Sequence, residues 1–187
     1  MQQIQFIIIF LLALVLAGCV QVQQEVALRE DQLAVSSVRD LPINYPANSN
    51  FSLSPRYVKE ASIKPEQVQK IYRLYAEKIA AGLQQQGYRL AEINQSADFY
   101  VGFGLALAED LTDNTMSRKF GVSPGLQKVD ELEKGSFLIY VEDAATDQRV
   151  WRGAVQGFVQ EGISLAERNQ RAEKVVNIVL SHFYDKG

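Results

Sequence analysis

Two apolar runs joined by a short polar link constrain the fold of this chain more than any other feature. The runs are Phe137–Glu142 and Arg149–Val159, and both are rich in the β-branched and aromatic residues that favour strands. The link, Asp143–Gln148, is polar and short enough to connect neighbouring strands. The pattern therefore predicts an antiparallel β-hairpin.

Two further segments have strand character. Asp98–Leu107 is an aromatic-rich run that predicts a buried strand. Phe51, Leu53 and Val58 predict a shorter strand, which Pro55 interrupts.

Two amphipathic helices accompany these strands. The first begins at Pro65, because proline suits the first helical position, and ends before Gly87. The second begins at Ser164–Glu167, which has the capping-box pattern. Apolar residues recur at helical spacing in both, at Val68, Ile71, Tyr72, Tyr75, Ile79 and Leu83, and at Ala172, Val175, Val176, Val179, Leu180 and Phe183. The sequence thus predicts an α+β fold, an antiparallel sheet with two main amphipathic helices packed on one face.

The N-terminal segment has the character of an export signal. Phe6–Ala17 is uncharged and apolar, and as a helix it would span ~18 Å, well short of a ~30 Å hydrocarbon core. This favours the apolar region of a signal peptide, although residues 1–5 carry no Lys or Arg. The alternative is an uncleaved membrane anchor over Ile4–Val22, which polar and small residues interrupt.

Leu16–Cys19 resembles the lipobox of bacterial lipoproteins. A thiolate is a strong nucleophile, so Cys19 can accept a diacylglycerol through a thioether. We therefore expect residues 1–18 to be a lipoprotein signal peptide and Cys19 to be the lipidated residue. By the same resemblance, Val20 rather than Asp favours a lipid anchor on the periplasmic face of the outer membrane of a Gram-negative bacterium.

The chain after the signal divides into two parts. Residues 19–50 are polar and weakly patterned, and they are expected to be the lipidated cysteine and a tether. Val20, Val22 and Val26 alternate there, so an edge strand is an open alternative. Residues 51–187 are expected to form a single α+β domain, long enough to bury a core without disulfides.

Composition excludes several functional classes. The 187 residues include 19 basic and 22 acidic side chains, a net charge of −3, which argues against a nucleic-acid partner. One cysteine and one histidine exclude an intrachain disulfide, a cysteine-rich zinc site and a multi-histidine metal site. No metal or cofactor is expected.

A serine motif fails as a catalytic site on physical grounds. Gly121–Gly125 fits the G-x-S-x-G nucleophile elbow around Ser123, and His182 follows it in hydrolase order. The elbow needs the backbone N–H after the serine to stabilise an oxyanion, and Pro124 has none. The motif therefore predicts a loop and no catalytic residues.

Two other segments have simpler explanations. Gly102-Phe103-Gly104 lacks the third glycine of a dinucleotide site, so it indicates a bulge or close packing within a strand. Residues 106–134 are rich in acidic side chains but match no calcium loop. They are expected to form a solvated loop, with weak cation binding as the alternative.

The end of the hairpin carries a candidate contact site. Trp151 is expected in the core, with Arg152 on the opposite strand face against solvent or a nearby carboxylate. The alternative is that Trp151 and Arg152 together contact a protein partner.

A family resemblance follows from the order of these features. The fragments are Leu83–Leu90, Ala97–Val101, Gly135–Ala144 and Val150–Ala154, the last containing Trp-Arg-Gly. Over roughly residues 50–184 the chain resembles the bacterial lipoprotein family of the domain of unknown function 4136. The resemblance implies an envelope location and brings no assigned activity or catalytic residue.

Three functional hypotheses remain. The first is a lipid-anchored, non-catalytic interaction or structural module of the cell envelope, whose partners would be the membrane and an envelope protein. The second is a carrier or sensor of a small apolar ligand held between helices and sheet. The third is a hydrolytic enzyme whose site is scattered in sequence.

Overall fold

The computed structural model describes residues 31–54, 65–107 and 112–185. Within them lie six strands and three helices, an α+β arrangement. In chain order the elements are β1 Leu33–Arg39, β2 Asn50–Leu53, α1 Pro65–Gln85, β3 Arg89–Leu90, β4 Phe99–Leu107, α2 Asp113–Phe120, β5 Lys134–Asp143, β6 Arg149–Phe158 and α3 Leu165–Tyr184.

The strands form one mixed sheet in the order β1-β6-β5-β4-β2-β3. The predicted β5–β6 hairpin is confirmed, and β1, β6, β5 and β4 are antiparallel to their neighbours. However, β2 runs parallel to both β3 and β4, so the prediction of a purely antiparallel sheet is wrong. The reason is α1, which connects β2 to β3, because parallel neighbours need a crossover connection that is usually a helix.

The folded domain begins earlier than residue 51. Strand β1 lies within residues 19–50, for which we predicted a tether, and it pairs with β6 from Leu33 opposite Gly157 to Arg39 opposite Trp151. Its composition gave no strong strand signal, and the long-range pairing with β6 fixes it. The alternating valines of residues 20–26, and the predicted interruption at Pro55, lie outside the described residues.

One face of the sheet carries α1 and α3, as predicted. Its core contains Ile79 and Leu83 from α1 together with the apolar stripe of α3. The strands contribute alternate residues, because successive side chains of a strand point to opposite faces. These core residues are Phe51, Phe99, Val101, Phe103, Phe137, Ile139, Val141, Trp151 and Val155.

Trp151 occupies this core through a close approach to the backbone. Its ring lies across Gly153, where a Cβ would overlap the indole and would come within 3.0 Å of Val179. The indole ring centroid lies 5.3 Å from that of Phe183. The absent side chain of Gly153 therefore lets the largest core residue reach α3, as the prediction of a core role for Trp151 requires.

The opposite face is covered by α2 and the residues that follow it. Met116 of α2 and Val122 pack on Leu138 and Ala154 of the sheet. The prediction of a solvated loop over residues 106–134 is therefore wrong for this part. The helix was missed because it is only eight residues long and mostly polar, with Met116 and Phe120 as its apolar side chains, and burial of Met116 against the sheet stabilises it.

Candidate functional site

An open-sided cavity of about 350 Å³ lies between α1, α3 and one end of the sheet. Its inner wall is formed by the buried side chains of Phe137, Val155 and Phe158. This volume falls in the lower part of the ~300–1,000 Å³ range of small-molecule sites. The cavity is therefore large enough for a small ligand.

The lining is predominantly apolar, as in most small-molecule sites. Several of its aliphatic side chains are only half-buried, although they lie beside a core that is almost fully excluded from solvent. They are Leu33, Ile71, Leu74, Leu105, Val159 and Ile163. The cavity is thus an apolar surface that the described part of the chain leaves partly uncovered.

Two arginines of α3 are the charged residues of the lining. Arg168 is exposed, whereas Arg171 is half-buried and donates a hydrogen bond from Nη2 to the carbonyl of Phe158. Tyr75 lies opposite on α1, with its ring centroid 4.8 Å from that of Phe137. Burial raises the pKa of Tyr75, and the positive charge of Arg171 opposes that rise, so the phenol stays protonated at neutral pH.

The predicted capping box fixes the start of α3, and thereby the positions of Arg168 and Arg171 on this helix. The hydroxyl of Ser164 accepts from the backbone N–H of Glu167 at 3.3 Å, and the Glu167 carboxylate accepts from the Ser164 N–H at 2.8 Å. Hydrogen bonding to Ser164 lowers the pKa of Glu167. With α3 starting at Leu165, Arg168 and Arg171 are one turn apart on the same side, above the apolar stripe.

A second cluster of polar groups lies on the opposite face of the sheet. Gln156 is 1% exposed, and its amide donates to Asp113 Oδ1 at 2.6 Å and accepts from the Leu126 N–H at 3.0 Å. Lys134 Nζ donates to the Leu126 carbonyl at 2.8 Å and lies 3.5 Å from Asp113 Oδ2. These groups bond to one another, so they fix α2 and the following loop to the sheet.

A shallow cleft of about 540 Å³ lies among the loops at the other end of β4 and β5 from the cavity. Its lining includes the carboxylates of Asp98 and Asp143. Tyr45 donates to Asp143 Oδ2 at 3.0 Å, and the backbone N–H of Asn50 donates to Asp98 Oδ2 at 2.7 Å. Desolvation favours a raised pKa for Asp143, but hydrogen bonds from Thr146, Tyr45 and the backbone outweigh it and lower the pKa. Asp143 therefore stabilises the turn after β5, and Asp98 stabilises the loop that leads into β2.

The predicted loop at Gly121–Gly125 is confirmed. Val122 packs on the sheet face that α2 covers, whereas His182 is exposed on α3, on the other side of the sheet. The sheet thus separates Ser123 from His182, and no serine–histidine pair forms between them.

The two residues singled out at the hairpin end point to opposite faces. Trp151 is 1% exposed in the helical-face core. Arg152 donates from Nη2 to Asp40 Oδ1 at 3.0 Å, the nearby carboxylate expected for it. Because Trp151 is enclosed, it offers no ring to a partner in this conformation, and a partner contact at Arg152 stays a prediction. Cys19 lies outside the described residues.

The glycine at Gly102 is explained by close packing, as predicted. The ring of Tyr140 occupies the space where a Cβ at this position would lie.

Among the described residues, no group of three or more His, Cys, Asp or Glu side chains converges on a possible metal position. No helix within 31–54, 65–107 or 112–185 has the length and apolar character needed to cross a bilayer.

The cavity residues were not identified from the sequence. The available signal was a pair of arginines, Arg168 and Arg171, three residues apart at the N-terminal end of an apolar helical stripe. The buried role of Gln156 gave no signal, because it occupies a polar position in an alternating strand and its partners come from distant segments.

Comparison with known proteins gives one family match. The family model described as Domain of unknown function (DUF4136) matches residues 42–183. No curated protein is significantly similar to the chain in sequence.

Solved structures share the fold at low sequence identity. A DUF4136 family protein from Bacteroides thetaiotaomicron VPI-5482 has 15% identity and a TM-score of 0.52, over 82% of this chain and 97% of that one. A PDZ domain protein from Parabacteroides distasonis ATCC 8503 has 12% identity and a TM-score of 0.51, over 81% of this chain and 36% of that one. The PelC dodecamer from Paraburkholderia phytofirmans has 13% identity and a TM-score of 0.48, over 80% and 96%. At these identities the first two comparisons support the fold alone.

Proposed function

The chain belongs to the DUF4136 family, and we propose that it is a lipid-anchored, non-catalytic binding module of the cell envelope that holds a small apolar molecule. The observation that carries this proposal is the cavity between α1, α3 and the sheet. It combines a volume of about 350 Å³, an apolar lining and a few polar groups, the properties shared by most small-molecule sites.

The burial pattern around the cavity supports a ligand. Core residues on the same face, such as Ile79 and Val176, are fully excluded from solvent, whereas Ile71 and Leu105 at the cavity are half-buried. Covering apolar surface contributes roughly 25 cal/mol per Å², so an apolar molecule gains free energy by occupying this space. This favours the carrier or sensor hypothesis over a purely structural module.

The anchor is proposed from the sequence. Leu16–Cys19 resembles a lipobox, and Val20 favours the outer membrane in the sorting pattern of lipoproteins. Acyl chains contribute about 0.8 kcal/mol per buried CH₂, so two or three chains at Cys19 would hold the domain at the periplasmic face of a membrane.

The ligand proposal is tested with a neutral apolar probe. N-phenyl-1-naphthylamine is titrated into the mature chain from residue 19, carrying Cys19→Ser, because this chain keeps every cavity residue. We expect saturable fluorescence enhancement. Ile71→Trp, which fills the cavity, should weaken binding at least about tenfold, whereas Ile178→Trp, on a half-buried position outside the cavity, should not. Absence of saturable binding contradicts the proposal.

The anchor is tested separately in the native host. Mass spectrometry should find the mature chain starting at Cys19 with added diacylglyceryl mass, and membrane fractionation should recover it with the outer membrane. The Cys19→Ser variant should lose both. Soluble recovery of the wild-type protein contradicts the anchor without affecting the ligand proposal.

A second candidate function, a protein-interaction module, is favoured by the edge of the sheet. Within the described residues β1 pairs with β6 on one side only, so its other edge can accept a strand from a partner. A photo-crosslinking residue at Ala34 should then capture a reproducible envelope protein in intact cells. The same group at exposed Asn177 of α3 is the control, and equal capture at both positions contradicts an edge-strand contact.

A further inference from the structure

The cavity has an apolar interior and a charged opening. Phe137, Val155 and Phe158 are buried on its inner wall. Of its lining residues, Arg168 is the one that is exposed, so the guanidinium lies where the cavity meets solvent. A ligand that fills this space therefore meets apolar side chains at one end and a cation at the other.

The charged side chains that line the cavity within the described residues have one sign. Arg168 and Arg171 are both basic, and the described lining contains no acidic side chain. At the nearby N-terminal end of α3, the Glu167 carboxylate of the capping box opposes the partial positive charge of the helix, so Arg168 and Arg171 supply the positive charge of the lining. The electrostatic environment thus favours an anionic group over a neutral or cationic one.

The two arginines differ in their availability to a ligand. Arg171 already donates to the Phe158 carbonyl, and this contact ties its guanidinium to the end of β6. Arg168 follows the capping box on the first turn of α3 and reaches the opening from an exposed position. A single guanidinium pairs well with one carboxylate, because its planar donors match the two oxygens.

We propose that the ligand is an amphiphile with one alkyl chain and one carboxylate, whose chain occupies the apolar interior and whose carboxylate is bound by Arg168. This inference rests on the proposed function, since it names the class of molecule that the cavity takes. The volume of about 350 Å³ fits a single chain of moderate length.

The test compares four probes with the same alkyl chain on the mature Cys19→Ser protein. Dodecanoate, dodecanol, dodecyltrimethylammonium and dodecyl phosphate each compete with N-phenyl-1-naphthylamine, below their micellar concentrations. Dodecanoate is expected to displace the fluorescent probe most strongly, dodecanol more weakly and the ammonium compound most weakly. A stronger effect of dodecyl phosphate than of dodecanoate overturns the carboxylate assignment.

Matched variants assign the headgroup contact to Arg168. Arg168→Ala should weaken dodecanoate binding about threefold to fivefold, the upper part of the range expected of a solvent-exposed ion pair, and leave dodecanol within about twofold. Arg168→Lys should restore part of the loss. Arg73→Ala removes the same charge from an exposed position on α1 outside the cavity and should leave both affinities unchanged.

The outcomes separate the inference from the proposed function. If the neutral probe binds and dodecanoate has no advantage over dodecanol, the headgroup inference is wrong and the apolar cavity site stands. Equal losses for Arg168→Ala and Arg73→Ala also overturn the inference, because they indicate only a general charge effect. If no probe binds, both proposals fail.

Discussion

The two faces of the sheet are covered by different kinds of contact. The helical face is packed by large apolar side chains, including Trp151, Phe99 and Phe183. The other face is covered by the short helix α2, a few apolar residues and the hydrogen-bonded cluster around Gln156. The cavity lies on the first face, although that face has the larger apolar core.

This difference shows that a face held by hydrogen bonds has less freedom to leave space for a ligand than a face held by apolar contacts. On the second face each polar group needs its partner at hydrogen-bond distance, so Gln156 and Asp113 hold their elements in one arrangement. Apolar contacts are non-directional, so the helical face can be filled around Trp151 and still leave a cavity that Ile71 and Arg168 line. We therefore expect ligand binding on the helical face and structural rigidity on the other.

The largest expected effect is loss of the helical-face core. Trp151→Ala should lower the free energy of unfolding by about 3–5 kcal/mol, because it leaves a large void between the sheet and α3. Equilibrium urea unfolding followed by circular dichroism measures this. The comparison is Ile178→Ala, which truncates a half-buried side chain of α3. Equal losses for the two variants would show that Trp151 does not anchor this face.

The polar cluster should be the next most sensitive site. Gln156→Leu should cost about 1–3 kcal/mol of unfolding free energy, because the Leu126 N–H and the Oδ1 atom of Asp113 lose the Gln156 amide as their partner. The exposed neighbour Gln127 provides the matched control, and Gln127→Leu should change stability by about 0.5 kcal/mol or less. Faster hydrogen exchange at Leu126 in Gln156→Leu alone would confirm local release. Unchanged exchange there would refute a clamping role.

The cap of α3 should contribute less. Ser164→Ala should lower the free energy of unfolding by about 1 kcal/mol, because the N–H of Glu167 loses its acceptor at the start of the helix. Thermal unfolding is a sufficient measurement. The control is Ser181→Ala in the last turn, where the exposed hydroxyl bonds only to the Ile178 carbonyl. A loss at Ser181 as large as that at Ser164 would contradict the capping account.

The smallest effect concerns pH. The folded-state pKa of Asp143 is lowered, so its contribution to stability is present above the unfolded value, about 4, and is lost as pH falls through the folded pKa. The difference in Tm between wild type and Asp143→Asn should therefore be largest above about pH 5 and shrink in acid. A difference that is constant from neutral pH to acid would assign the stabilisation to something other than ionisation.

Local patterns in the sequence predicted the elements that they encode directly. The β5–β6 hairpin, the capping box of Ser164 and Glu167 and the end of α1 before Gly87, whose φ is +89°, are confirmed. Each depends on residues close together in the chain, whose turn or cap chemistry is specific.

The missed features depend on distant contacts. Strand β1 is fixed by pairing with β6, and α2 by packing Met116 against the sheet. The parallel register of β2 follows from the α1 crossover, for which the hairpin pattern gave no information. The cavity was not predictable from the sequence, because its lining comes from both helices and several strands, and the apolar residues there follow the same periodicity as residues in a filled core.

The proposed function requires that a small apolar molecule occupies the cavity on the helical face. The most direct measurement is an intermolecular nuclear Overhauser experiment on the mature Cys19→Ser protein with bound N-phenyl-1-naphthylamine. We expect contacts from the probe protons to the methyl groups of Ile71, Val155 and Val175, which line the cavity. Contacts confined to residues outside the cavity, such as Val38 or Val122 on the opposite face, would show that the probe does not bind in the cavity.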